Sequence, residues 1–318
     1  MSILLHCYYN FTNLISMHPN ISILIPTKNN ENDLIDCLKS IANLNYQHNK
    51  IEIIIWDNNS KSENKENIKY FISNTTKKHF DTIRFIENTS NYGVYTSRDE
   101  LLKCVRDNVE LILSIDDDVI LPPQLISELV PIFYQDSSIG IIGPRIVYDD
   151  SPSITAHGAG FINWWLGRYY AKDADNALDC DYVLGCCMLI KRSVVDSIGG
   201  FDRDYYTSHG EVDFCVKATQ KGYKILYYPA VAVRHRVEMG GTQTLERLYY
   251  VLRNKLLVIK KNAPSPQKWL ALALYAIFWP LKSTLDSIRR NRSINSAEFK
   301  IIVKAIKDGW LNRVGKRL

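Results

Sequence analysis

The stretch Leu111-Ile112-Leu113-Ser114-Ile115-Asp116-Asp117-Asp118 decides how the rest of the chain is interpreted. Its mainly apolar first half is typical of a buried parallel strand, and ligands of open α/β sheets bind where such strands end. Neighbouring strand residues point to opposite faces, so Asp116 and Asp118 can converge while Asp117 points elsewhere. Two converging carboxylates suit a hard divalent cation, which would bring a phosphate-bearing ligand with it. The alternative is an acidic flank to a helix starting near Pro122.

Apolar runs and helical patterns alternate on the N-terminal side of this stretch. Strands are expected at 21–26, 51–56 and about 83–86, and helices at about 33–42 and 96–105. A Lys/Glu/Asn-rich helix is expected between the second and third strands. This alternation predicts an α/β protein with a Rossmann-like, mostly parallel sheet. A dinucleotide cofactor is disfavoured because no Gly-x-Gly-x-x-Gly follows the first strand.

Polar residues near the strand ends suggest a nucleotide ligand. Asp57 comes directly after the run 51–56, and Arg98 lies in the helix before the run 111–115. Asp57 can accept hydrogen bonds from a base or a ribose hydroxyl, and Arg98 can neutralise a phosphate. Each residue also has an ordinary alternative. Asp57 can be a helix cap or turn residue, and Arg98 can be a solvated charge on a helix face.

Charge is unevenly distributed along the 318 residues, although the net charge is only +5. From Arg234 onward the chain has eighteen Lys and Arg against five Asp and Glu, so the preceding part is net acidic. A basic tail on an acidic body indicates an anionic surface near the tail, either lipid or nucleic acid. The seven Cys are scattered without metal or disulfide spacing, which favours reduced thiols and a cytosolic setting.

The tail contains a continuous apolar run at 269–281, which is flanked by basic residues. Thirteen residues are too few for a bilayer-spanning helix, which needs roughly twenty. An amphipathic stretch at 299–314 carries Lys and Arg, so peripheral attachment to an anionic cytoplasmic leaflet is expected. The alternative is a pair of helices packed on the preceding domain. Residues 1–20 carry no export signal and are expected to form an extension, with Met17 a possible true start.

Nine motifs in a fixed order carry a resemblance to a known family. They are Pro26-Thr27-Lys28-Asn29, Trp56-Asp57-Asn58-Asn59-Ser60, Asn91-Tyr92-Gly93 through Arg98, Asp116-Asp117-Asp118, Val183-Leu184-Gly185-Cys186, Ile198-Gly199-Gly200-Phe201-Asp202, Gly210-Glu211-Val212-Asp213-Phe214-Cys215, His235, and Tyr249-Tyr250-Val251-Leu252-Arg253-Asn254. Together they resemble a family 2 glycosyltransferase of the GT-A fold, with a tail of the rhamnosyltransferase-like kind. The resemblance covers about residues 20–262.

The resemblance implies roles for the matched residues. Donor binding is implied for Pro26, Thr27, Asn29, Asp57, Asn91, Gly93, Arg98, Asp116, Asp117 and Gly185. Asp118, helped by Asp116, is implied to hold Mg²⁺ or Mn²⁺ on the donor diphosphate, with His235 completing the metal shell or binding diphosphate. For His235 a basic strand end at the surface is the alternative.

The catalytic base is implied to lie in the motif that begins at Gly210. Alignment of the motif puts Glu211 in the base position, with Asp213 as the other candidate. Glu replaces the usual Asp there, and Gly210 stands where an acidic residue is usual. Asp99 likewise replaces the family's Asn. An alternative for the acidic pair is a helix N-terminus stabilised by its dipole.

The resulting expectation is a GT-A domain at 21–262 followed by a basic helical tail at 263–318. It would be a hexosyltransferase that transfers a sugar, with inversion, from a nucleoside-diphosphate donor to a glycan or polyprenyl-linked acceptor. Cell-surface polysaccharide synthesis at the inner face of the membrane is the expected setting, and nucleic acid is not an expected partner. A catalytically weakened sugar-nucleotide binding protein and a nucleotidyltransferase are the alternatives.

Overall fold

The computed structural model describes residues 18–74, 82–239, 244–291 and 296–318, so most of the expected N-terminal extension, including Met17, lies outside the described residues. The strands are β1 (Ile21–Thr27), β2 (Ile51–Asp57), β3 (Thr82–Glu87), β4 (Leu111–Ile115), β5 (Val119–Ile120), β6 (Ile139–Tyr148), β7 (Thr155–His157), β8 (Ala159–Asn163), β9 (Arg168–Lys172), β10 (Leu178–Cys180), β11 (Cys187–Lys191) and β12 (Lys224–His235). The helices are α1 (Glu31–Ala42), α2 (Ser62–Asn74), α3 (Val94–Lys103), α4 (Leu125–Leu129), α5 (Ile132–Gln135), α6 (Arg192–Ile198), α7 (Gly210–Gln220), α8 (Leu245–Asn262), α9 (Gln267–Asn291) and α10 (Ser296–Trp310).

The first four strands confirm the predicted α/β alternation. β1 pairs in parallel with both β2 and β4, and β2 pairs in parallel with β3. Alternate residues of β1 contact opposite layers: Ile23 joins the core under α1, whereas Leu24 joins the core under α3. Helices on both faces explain why β1, β2 and β4 are buried throughout.

The later strands make the sheet mixed. Its main path runs β10-β12-β6-β11-β4-β1-β2-β3, with β5 beside β12 and β7 beside β6. β11 is antiparallel to both of its neighbours, β4 and β6, while β6 and β12 are parallel to each other. The main sheet therefore continues beyond β4 through an antiparallel strand. β8 and β9 form a separate two-stranded hairpin.

The C-terminal helices pack on the preceding domain through α8. Tyr275 of α9 donates to the carbonyl of Leu252 at 3.0 Å, and Tyr249 donates to Asp308 of α10 at 2.7 Å. Both ends of these contacts are buried, and Ile302 and Tyr249 share one apolar cluster. Within the described residues, no helix combines the length and apolar character that crossing a membrane requires.

Candidate functional site

A cavity of about 1000 Å³ opens where β1 and β4 end. Its walls come from these strand ends, the start of α3, the loop before α7 and the first turns of α8. Twelve of the residues singled out by sequence line it: Pro26, Thr27, Asn29, Asn91, Gly93, Arg98, Asp116, Asp117, Asp118, Gly185, Glu211 and His235. The fold thus gathers residues from most of the motifs around one space.

Asp116, Asp118 and His235 form the acidic centre of this cavity. β4 ends directly before Asp116, and β12 pairs with β5 so that His235 lies opposite Val119. One ligand atom from each of the three residues lies within 4.8 Å of the others. His235 Nε2 is 3.1 Å from Asp118 Oδ1. Burial favours the neutral ring, but Cys186 and Asp118 outweigh it and raise the pKa of His235 to about 11.

Asp117 points away from this centre, as the strand alternation predicts. Its two carboxylate oxygens accept hydrogen bonds from Thr27 Oγ1 at 2.6 Å and Asn30 Nδ2 at 3.1 Å. Burial raises the pKa of Asp117 to about 7, against these two hydrogen bonds. Asp117 therefore links the end of β4 to the loop that follows β1.

Arg98 lies beneath the acidic centre, in the cavity wall. Its side chain is 2% exposed, and its guanidinium lies 5.7 Å from the ring centre of Tyr95 and 5.8 Å from that of Phe201. Nη2 is 2.5 Å from Asp116 Oδ1. Burial raises the pKa of Asp116, and the positive charge of Arg98 opposes that rise. In this structure Arg98 therefore forms an ion pair with the carboxylate of Asp116.

Glu211 enters the cavity from the first turn of α7. The Tyr95 hydroxyl donates a short hydrogen bond to Glu211 Oε2, and the residue is only 9% exposed. Burial raises the pKa of Glu211. Gly185 passes close by, since a Cβ there would lie 2.6 Å from Arg98 Nη1 and 3.2 Å from Glu211 Cβ. The missing side chain lets Arg98 and Glu211 approach the same point.

Asp213 lies behind the cavity wall, within the described residues. It is 1% exposed, forms an ion pair with Lys217 at 2.7 Å and accepts a 2.7 Å hydrogen bond from Asn262 Nδ2. Tyr205 donates to the same carboxylate at 3.3 Å. These contacts connect α7 to α8 and engage the carboxylate of Asp213 inside the protein, whereas Glu211 lines the cavity.

Asp57 is also fully buried and lies outside the cavity lining. Its carboxylate accepts the backbone N–H of Ser60 at 3.2 and 3.1 Å, and Lys65 lies 3.6 Å away. This is the turn-residue alternative raised by the sequence. The neighbouring Asn58 lines the cavity instead, where its Oδ1 accepts from Ser97 Oγ at 2.8 Å.

Asn91 and Gly93 shape the entrance to α3. Asn91 Nδ2 donates to the Tyr206 hydroxyl at 2.7 Å, and its Oδ1 accepts from the Gly93 N–H at 3.0 Å. Gly93 has φ +85°, and a Cβ there would overlap the ring and the carbonyl oxygen of Tyr206. Asn29 also stabilises the backbone of a neighbouring loop, since its Oδ1 accepts a hydrogen bond from the Lys61 N–H at 2.8 Å.

Several cavity residues were not singled out by sequence. Tyr95 occupies a helical position whose pattern is typical of core packing, and nothing local signals its bond to Glu211. Glu246, Arg247 and Val251 line the cavity from α8. Of these, Val251 lies inside the motif 249–254, which was the only signal that α8 approaches the site.

Comparison with known proteins assigns the family. The sequence model of Glycosyl transferase family 2 matches residues 22–199, more than half of the chain. The chain belongs to glycosyl transferase family 2. This confirms the resemblance seen in the motifs, and with it the enzyme class: the protein is a glycosyltransferase.

Curated relatives of this glycosyltransferase are distant in sequence. The low-salt glycan biosynthesis hexosyltransferase Agl10 of Haloferax volcanii is 24% identical over 262 residues, which are 79% of this chain and 80% of Agl10. Glycosyltransferase AglE of the same organism is 20% identical over 310 residues, 95% of each chain.

Solved structures share the fold of this glycosyltransferase. The mannosyltransferase PcManGT of Pyrobaculum calidifontis, in complex with GDP-Man and Mn²⁺, superimposes with a TM-score of 0.62 at 15% identity over 97% of this chain and 95% of its own. S. aureus TarS 1-349 in complex with UDP-GlcNAc gives 0.59 at 15% identity over 92% and 81%. The predicted GT-A fold, with its C-terminal helices, is confirmed.

The acidic centre of this glycosyltransferase fits a divalent cation. Two carboxylates and an imidazole form a donor set that hard and borderline divalent ions accept in proteins, provided that metal binding releases the proton favoured on His235. Asp118 and His235 have side chains 24% and 12% exposed, so both are partly shielded from solvent. Arg98 lies behind Asp116 as an outer partner, which is the arrangement that orients metal ligands.

Proposed function

We propose that this glycosyltransferase transfers a hexose from a nucleoside-diphosphate sugar to a hydroxyl of a glycan or lipid-linked acceptor, with inversion at the anomeric carbon and dependence on Mg²⁺ or Mn²⁺. The observation that carries the proposal is the placement of the Asp116–Asp118–His235 centre and the buried Glu211 in the same cavity. A diphosphate leaving group and an acceptor hydroxyl need these two kinds of group on opposite sides of the sugar.

The donor nucleoside is assigned to the part of the cavity lined by Thr27, Asn29 and Asn58. Asp57 was the residue expected to make this contact, but a fully buried carboxylate offers no surface to a ligand. We therefore propose that Asp57 stabilises the turn and that Asn58 contacts the nucleoside of the donor. A divalent cation held by Asp116, Asp118 and His235 would stabilise the charge that develops on the leaving diphosphate.

Glu211 is assigned the role of general base. Its carboxylate takes the proton of the acceptor hydroxyl as that oxygen attacks the anomeric carbon. Burial raises its pKa, which makes it a stronger base than an exposed Glu, and the Tyr95 hydroxyl fixes its orientation. With one base opposite the leaving group, displacement is direct and the configuration inverts.

Screening nucleotide sugars in the presence of Mn²⁺ tests the proposal. We expect one donor to raise the unfolding temperature only when Mn²⁺ is present, and to release its nucleoside diphosphate on turnover. Asp118→Ala should abolish both effects. Release of pyrophosphate when a nucleoside triphosphate and a sugar 1-phosphate are supplied would instead identify a nucleotidyltransferase. Donor binding without turnover, with any acceptor supplied, would identify a catalytically weakened binding protein.

We also propose that the protein attaches peripherally to the inner, cytoplasmic leaflet of a membrane. An exposed apolar patch supports this: Trp165 and Leu166 at the tip of the β8–β9 hairpin, and Trp269 and Leu270 at the start of α9. The hairpin tip lies against α9 near its start, because a Cβ on Gly167 would lie 2.8 Å from Ile259 Cδ1 and 3.4 Å from Ala271 Cβ. Trp side chains favour the membrane interface.

Positive charge around the patch favours anionic lipid. Lys268 directly precedes Trp269, Arg168 follows Leu166 by two positions, and the tail as a whole is strongly basic. We expect the full-length protein to float with phosphatidylglycerol vesicles and not with phosphatidylcholine vesicles. The Trp165→Ala/Trp269→Ala variant should lose this binding, whereas Tyr70→Ala, which removes an exposed aromatic on α2, should not. Equal flotation of the two variants would contradict the proposal.

A further inference from the structure

The loop that leads into α7, the helix that carries Glu211, has an unusual backbone conformation. Ser208 and His209 have φ values of 62° and 68°, in the left-handed region that non-glycine residues adopt at a cost. Both residues line the cavity, and Glu211 follows two positions later. The loop conformation therefore sets the place from which Glu211 enters the cavity, and the surrounding structure must maintain it.

Asn254 of α8 supplies this support. Its side chain is fully buried, and its Nδ2 donates to the carbonyl oxygens of Thr207 and Ser208, the latter at 2.9 Å. One side-chain amide thus satisfies two successive carbonyls of a strained turn. These half-buried carbonyls would otherwise depend on water or stay unpaired, and an unpaired carbonyl costs free energy.

Arg253 fixes the direction in which the Asn254 amide points. Arg253 Nε lies 2.7 Å from Asn254 Oδ1, and a guanidinium can only donate hydrogen bonds. The amide oxygen must therefore face Arg253, which leaves Nδ2 to face the loop. Arg253 is itself fully buried. Its guanidinium lies 4.9 Å from the ring centre of Tyr250 and 5.7 Å from that of Tyr249.

The C-terminal segment 313–315 completes the arrangement. Arg253 Nη1 donates to the carbonyl of Gly315 at 2.6 Å, and Nη2 donates to that of Asp204 at 3.3 Å. The Gly315 N–H donates to the same Asp204 carbonyl at 2.8 Å. The end of the chain is thus bonded both to Arg253 and to the segment that leads into the loop.

We propose that Asn254 is a positioning residue for Glu211, and that segment 313–315 holds it in place through Arg253. Segment 313–315, which follows α10, would then contribute to the geometry of the catalytic site. The catalytic consequence rests on the proposed role of Glu211 as base, whereas the mechanical link between the chain end and the loop does not.

Hydrogen exchange of the full-length protein tests the mechanical link. Asn254→Asp keeps the shape and pairs with Arg253, but it presents oxygen atoms to the two loop carbonyls. A second variant ends at Asn312, and Arg317→Ala is its control because, among the contacts of the described residues, Arg317 bonds through its backbone N–H, toward Tyr250. We expect exchange in 204–211 to rise about tenfold in the first two variants and not in the control. Unchanged exchange in either variant, or a uniform rise along the chain, would overturn the proposal.

Turnover tests the catalytic consequence. With Mn²⁺ and a nucleotide sugar that the wild type turns over, Asn254→Asp should lower kcat about tenfold or more while Mn²⁺ affinity and the donor KM stay within about twofold. A merely structural defect would move the unfolding temperature and all three constants together, which would overturn the positioning role. If exchange rises in 204–211 but kcat is unchanged, the positioning role of Asn254 fails and the link between segment 313–315 and the loop stands. Loss of turnover in Glu211→Gln would then show that the role of Glu211 as base still holds.

Discussion

Arg98 and Asp116 form an ion pair in the wall of the cavity at the ends of β1 and β4, with 2.5 Å between Arg98 Nη2 and Asp116 Oδ1. The guanidinium lies against the rings of Tyr95 and Phe201, so its position is fixed by packing as well as by charge. Asp116 is in turn one of the three residues that can hold a metal ion. Arg98 therefore fixes, from behind, a carboxylate that we propose as a metal ligand.

Arg98→Met should weaken Mn²⁺ binding about 10–100-fold, the usual cost of losing an outer partner of a metal ligand. Met fills much of the space, so the effect comes mainly from the freed Asp116 carboxylate. Arg203→Met is the matched control. Arg203 pairs with Asp99 and Glu100 of α3, the helix that also carries Arg98. Titration of Mn²⁺ by electron paramagnetic resonance measures both. Equal affinities in the two variants would contradict the orienting role.

Asp118→Asn and Asp117→Asn should differ sharply in Mn²⁺ binding, although the residues are neighbours. Asp118 faces His235 across 3.1 Å, whereas Asp117 is turned toward Thr27 and Asn30. The first variant should lose measurable binding, and the second should retain an affinity within about threefold of wild type. Isothermal titration with MnCl₂ checks this. Loss of binding in both variants would mean that the strand alternation does not separate their roles.

Tyr95→Phe should move the acidic limb of the kcat–pH profile to higher pH. The Tyr95 hydroxyl donates to the Glu211 carboxylate, which stabilises the charged form and lowers its pKa against the effect of burial. Without that bond the pKa of Glu211 rises further, so the base is protonated at a higher pH. Tyr205→Phe is the control because Tyr205 donates to Asp213, outside the cavity lining. A profile shifted only in the control variant would exclude Glu211 as the titrating base.

Gly93→Ala and Gly222→Ala separate backbone strain from steric overlap. Both glycines have positive φ, 85° and 89°, so each alanine should cost about 1 kcal/mol through its backbone conformation. A Cβ at Gly222 has nothing within 4 Å, whereas one at Gly93 overlaps Tyr206. We expect Gly93→Ala to lower the free energy of unfolding by a further 1–3 kcal/mol or so and to reduce turnover. Urea unfolding measures the difference, and equal losses would contradict the steric account.

The first half of the sheet could be predicted because its strands are continuous apolar runs closed by polar residues. β1, β2 and β4 are buried on both faces, and such strands have a clear signature in sequence. The antiparallel placement of β11 between β4 and β6 could not be predicted in this way. It depends on a long connection through β7 to β10, whose short strands have no comparable pattern.

The sequence predicts which residues lie near the site better than it predicts which side chains face the cavity. Asp57 and Asn58 are adjacent in one motif, yet Asp57 turns into the protein and Asn58 turns into the cavity. Which of two neighbours faces a ligand depends on the exact end of the strand, which sequence does not define. The contact between Tyr95 and Glu211 joins residues 116 positions apart, so it became visible only in the folded chain.

The most direct test of the account is the turnover number of Glu211→Gln, measured with Mn²⁺ and a nucleotide sugar that the wild type turns over. The amide keeps the size of the side chain but cannot take a proton, so kcat should fall about 10²–10⁴-fold while Mn²⁺ binding is retained. Asp213→Asn, measured in parallel, should retain turnover in the fraction that folds. A Glu211→Gln enzyme with wild-type turnover would contradict the account.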